Sequence, residues 1–84
     1  MALPKQPITL EVEQIEQLNR ELSNLRHDVN NTLSLIMAAV DLIRHKPQMT
    51  ERMMTTLVEQ PPKIINSLTK FSSEFEKTFG ITRP

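Results

Sequence analysis

The sequence predicts an all-α protein: an antiparallel helical hairpin that dimerises into a four-helix bundle. Three observations carry that reading. Apolar residues recur at steps of three and four along two long stretches, a short proline-bearing segment separates them, and the 84 residues hold a single glycine.

Taken in order, Pro4 and Pro7 keep residues 1–8 extended as an N-terminal tail, and Thr9 is the expected N-cap, with Glu11 and Glu13 well placed against the helix dipole. Helix 1 is predicted over about 9–45, where Ile15, Leu18, Leu22, Leu25, Val29, Ile36, Ala39 and Ile43 form a heptad seam that only Thr32 interrupts. At ~1.5 Å per residue this is a rod of roughly 54 Å. Lys46-Pro47-Gln48-Met49-Thr50 stops it, because proline disfavours helix in the residue before it, and Thr50 is expected to cap the second helix. So short a connection implies antiparallel neighbours.

Helix 2 is predicted over about 50–79, with Met54, Leu57, Pro61, Ile64, Leu68, Phe71 and Phe75 as its stripe and Ile65 and Phe79 widening it. Gly80 is the expected stop, and 81–84 a C-terminal tail. Pro61 and Pro62 each remove a backbone donor at a cost of roughly 3 kcal/mol in a helix interior, which predicts a kink at 61–62. The apolar phase runs on from Leu57 through Pro61 to Ile64, favouring one kinked helix over two.

Two helices cannot enclose a core, and without cysteine no disulfide can staple them. Leu33, Leu35, Ile36, Met37, Val40, Leu42 and Ile43 make the second half of helix 1 broad enough to meet more than one neighbour, hence the expected homodimer.

Composition removes several function classes. Ten basic and ten acidic residues give a formal net charge of zero with no basic stripe, which argues against nucleic acid as a partner. No apolar run is long enough for a membrane span, the N-terminus lacks a signal-peptide core, and the absence of cysteine fits a cytoplasmic protein. No phosphate loop, zinc spacing or Ser/His/Asp triad is present, so no metal or cofactor is expected in the chain itself.

One stretch does look reactive: Leu25-Arg26-His27-Asp28-Val29-Asn30-Asn31. With Leu22 and Val29 at a positions and Leu25 at d, His27 falls at f, facing away from the seam. Asn24 and Asn31 stand above and below the imidazole, and Asp28 is one residue round the cylinder. His45 is read differently, as a helix-terminal cation beside Lys46. It lies eighteen residues from His27, about 27 Å along the rod and too far for a shared metal. Met49, Met53 and Met54 read as filling near the turn, and the charges from Glu11 to Arg26 as solvated flanks.

The run LRHDVNNTLSLIMAAVDLI at 25–43 resembles the phosphoacceptor helix of the dimerisation and histidine-phosphotransfer domain of bacterial sensor histidine kinases, in its His-Asp-x-Asn-Asn variant. SLTKFSSEF at 67–75 resembles the second helix of that domain, and the likeness covers roughly residues 15–78. The resemblance implies that His27 is the phosphoacceptor, Asp28 the acidic neighbour that orients and activates the ring, and Asn31 the residue that positions water for dephosphorylation. It also implies a response-regulator receiver domain, bringing its own Mg2+, as partner. Asn24, Ser34 and Ala38 would form the docking strip.

Chemistry agrees with those roles: neutral imidazole offers one nitrogen lone pair while a carboxylate can hold the proton on the other. The family also carries an ATP-binding domain with glycine-rich segments, which these residues lack, so self-phosphorylation from ATP is not expected. At most the chain would be a phosphotransferase or phosphatase-like. Three readings stay open: a phosphorelay module acting through His27, a non-catalytic dimerisation or regulatory module that binds a receiver or a sensor kinase, and a structural coiled coil.

Overall fold

A computed structural model describes residues 2–82, and within them the chain is all-α, built from two long helices packed side by side as a hairpin. Helix α1 spans Val12–His45 and helix α2 spans Thr50–Phe79, joined by a 3₁₀ turn at Pro47–Met49. The pair forms a single layer of 58 × 28 × 12 Å, one helix thick.

α1 starts later than Thr9. Glu11 is the N-cap in extended conformation, and its backbone N–H donates to Gln14 Oε1 at 2.8 Å, one half of a capping box. Had Thr9 been the cap, the reciprocating position would be Val12, which has no acceptor. Loss of this bond in Gln14→Ala is expected to cost about 1 kcal/mol, read as a fall in thermal midpoint of roughly 4–8 °C by circular dichroism, with Gln14→Glu close to wild type.

At the other end Lys46 N–H closes on Leu42 O at 2.7 Å, and His45 Nδ1 lies 2.9 Å from Asp41 O. His45 thus serves a carbonyl in the last turn, where a cation also suits the dipole. Thr50 is not the cap of α2: it is the first helical residue, Met49 precedes it as N-cap, and the Thr50 hydroxyl donates back to Pro47 O. That bond braces the turn instead.

α2 continues through Pro61 and Pro62 as one helix. Both prolines are exposed, and at them the carbonyls of Leu57 and Val58 lose their helical donors. Gly80 ends α2 at φ 66°, ψ 34°, a left-handed conformation that glycine adopts without a Cβ penalty, and Ile81 N–H also reaches Glu76 O at 2.8 Å. Beyond it Thr82 exchanges two backbone hydrogen bonds with Ala2, of 2.7 and 3.0 Å.

Packing uses a different phase of α2 from the apolar stripe. Among the described residues the buried ones are Thr32, Ala39 and Gln60, flanked by half-buried Leu18, Leu22, Leu25, Val29, Ile36 and Ile43 on α1. On α2 the inward row is Met53, Leu57, Gln60, Ile64, Ser67 and Phe71. Met54, Val58, Ile65, Leu68 and Phe75 form a second row, one residue over, and remain exposed. The wide stripe therefore splits into a row that faces α1 and a row that stays exposed. Phe71, Phe75 and Phe79 stack in sequence along α2, with ring centroids 6.0 and 4.6 Å apart.

Candidate functional site

His27 lies mid-way along α1 with its ring in solvent, as expected of an f position. One turn on, Asn31 Nδ2 is 3.2 Å from His27 Nε2. An amide nitrogen can only donate, so in this arrangement Nε2 is the acceptor, which places the ring's N–H on Nδ1. The Nε2 lone pair is thus directed at an exposed amide one turn along the same helix, and it becomes available to another group only when that bond is released.

Asp28 sits elsewhere. About 100° round the helix from His27, at the edge facing α2, its Oδ2 accepts a long hydrogen bond of 3.5 Å from Ser67 Oγ. Among the described residues no hydrogen bond joins Asp28 to His27, and Nδ1 of His27 has no partner. Asp28 and Ser67 line a narrow cleft between the helices with Glu21, Asn24 and Lys70, with about 20 Å³ of space, room for one water.

The expected constellation is thereby divided. His27 and Asn31 are together on the outer face, whereas Asp28 and Asn24 turn to the cleft beside α2. Ser34 and Ala38 continue the outer face toward the turn, both exposed, with small side chains that leave the helix surface open. The residues that sequence reasoning missed are Ser67 and Lys70. The available signal was the seven-residue spacing from Gln60 to Ser67, which places a hydroxyl in the inward row of α2. Thr32, the interruption in the seam, turns its hydroxyl back to Asp28 O at 2.9 Å, so its burial leaves no unmet donor.

Among the described residues no three His, Cys, Asp or Glu side chains gather as a metal ligand set, and no helix is long and apolar enough to cross a membrane. The chain matches no family model, no curated protein and no solved structure.

Proposed function

We propose that this chain is a cytoplasmic two-component signalling module in which His27 carries a phosphoryl group to or from a response-regulator receiver domain. The observation that carries the reading is the His27–Asn31 pair: an exposed imidazole on a long helix, its Nε2 met by an exposed carboxamide one turn away. In transfer, Nε2 attacks the phosphorus of an aspartyl phosphate on the receiver, the bond from phosphorus to the aspartyl oxygen breaks, and the aspartate leaves as a carboxylate. Mg2+ held by the receiver would offset the charge on the moving group. The proton stays on Nδ1, so no separate base is needed for the attack itself. Asn31 must give up its bond to Nε2 at that point, and its amide is then placed to hold a water against the phosphorylated ring. Ser34 and Ala38 below provide a docking strip without bulky side chains, while Asn24, expected to extend it above, borders the cleft beside α2 instead.

We also propose that two hairpins close into a four-helix bundle. The chain exposes 6737 Å², where a compact monomer of 9.7 kDa exposes about 5,100 Å². The excess is on the order of 1,600 Å², more than the ~800 Å² that each partner contributes to a standard interface. The outer row of α2, with Met54 50 %, Val58 70 % and Ile65 60 % exposed, supplies apolar surface of the right kind.

A second reading, a non-catalytic dimerisation or regulatory module that binds a receiver or a sensor kinase, draws on the turn of Asp28 toward Ser67 and away from the ring. One experiment separates them. The purified chain is mixed with labelled phospho-receiver domains from the same organism and Mg2+. Acid-labile label on the chain is the expected result. Loss of receiver label without capture would assign Asn31-assisted hydrolysis, and no effect on any receiver would overturn the phosphotransfer reading in favour of the second.

A further inference from the structure

Two groups compete for Asp28, one on each helix. Ser67 lies on α2 and holds Oδ2 at 3.5 Å, a length at the edge of hydrogen bonding and therefore easily given up. His27 lies on α1, and its Nδ1–H is unclaimed among the described residues. Lys70 from α2 and Glu21 from α1 line the same cleft as the carboxylate.

We infer that Ser67 is a positioning residue that keeps the Asp28 carboxylate away from His27, so that displacement of α2 against α1 releases Asp28 to the imidazole and raises the reactivity of Nε2. This rests on His27 being the phosphoacceptor and adds a regulation of that same site. A carboxylate accepting from Nδ1–H fixes the tautomer and stabilises the imidazolium character that develops as Nε2 attacks phosphorus. A carboxylate tied to Ser67 does neither. The reactive residue thus need not move: the helix that carries Ser67 and Lys70 decides whether its neighbour assists it.

Phosphoramidate tests this on the whole chain without any partner protein. The imidazole attacks phosphorus, the P–N bond breaks and ammonia leaves, and the initial rate is followed at His27 by mass spectrometry. His45, whose ring is engaged with Asp41 O, serves as internal reference. Ser67→Ala is expected to raise the rate at His27 several-fold with His45 unchanged, and Ser67→Thr, which keeps the hydroxyl, to restore the wild-type rate. In an Asp28→Asn background the Ser67→Ala gain should vanish. A matching shift of the His27 Nδ1 resonance in Ser67→Ala, absent from the double variant, would give the same answer without chemistry. An unchanged rate in Ser67→Ala, or an equal gain with and without Asp28, overturns the inference while leaving His27 as acceptor. No label at His27 in any variant removes the acceptor and the inference together.

Discussion

Replacing His27 with glutamine is expected to reduce capture of label from phospho-receivers to background while leaving the hairpin and its assembly intact. The ring is in solvent and packs against no inward residue, so the fold loses no burial. Glutamine is a good helix former, so α1 should keep its stability at this position. What disappears is the lone pair. Helical content and hydrodynamic size should match wild type, which assigns the loss to chemistry. Label surviving on His27→Gln would place the acceptor elsewhere, with His45 the only other histidine in the sequence. In the same assay Asn31→Ala is the informative companion: if Asn31 holds water against the phosphorylated ring, label captured by His27 should decay roughly 10²-fold more slowly.

The largest stability effect is expected at Gln60, and it is a gain. Gln60 is 2 % exposed, its Nε2 donates to Thr56 O at 2.8 Å, and Oε1 is buried without a partner. A buried acceptor left unmet costs about 1–3 kcal/mol, whereas the donated bond contributes about 1 kcal/mol net. Thr56 O also keeps its helical partner, the Gln60 backbone N–H, so losing the side-chain donor strands nothing. Gln60→Met retains the length and unbranched shape, and should stabilise the protein by about 1–2 kcal/mol, a rise of roughly 4–15 °C in thermal midpoint. The comparison is made at one protein concentration, because an assembling hairpin gains apparent stability by mass action. A fall in the midpoint would mean that Oε1 meets a donor in the assembled state.

Seam positions, stops and faces were legible in the sequence wherever one signal acted alone. Pro47 and Gly80 end helices because each has a single backbone consequence, and the His27 face followed from Leu22, Leu25 and Val29 without reference to α2. The reading failed where two signals competed. Thr9 has the residue type of an N-cap, but Glu11 takes the position because Gln14, three residues beyond it, meets its backbone N–H. On α2 the apolar pattern was wide enough for two phases, and counting hydrophobic residues chose Pro61 and Leu68 over Gln60 and Ser67. Packing chose otherwise, because α1 presents Asp28, Thr32 and Ala39 on the meeting side, where a polar or small partner fits. The divided site has the same origin: the direction of Asp28 depends on which α2 residue reaches its level, a fact of pairing register that no spacing within α1 contains.

The brace at Lys46–Thr50 has a kinetic meaning as well as a geometric one. Because one tight turn joins the helices, pairs near it close small loops, and Asp28–Ser67, 39 residues apart in the chain, closes a far larger one if it forms alone. Zipping outward from the turn avoids that cost, each level being brought into reach by the one before it. Unzipping in reverse must first break the Ala2–Thr82 pair that ties the far end. The cleft beside His27 lies on the outer side of the Gln60 level, between the braced turn and the Ala2–Thr82 pair, so it sits in a span of the hairpin that is tied at both ends.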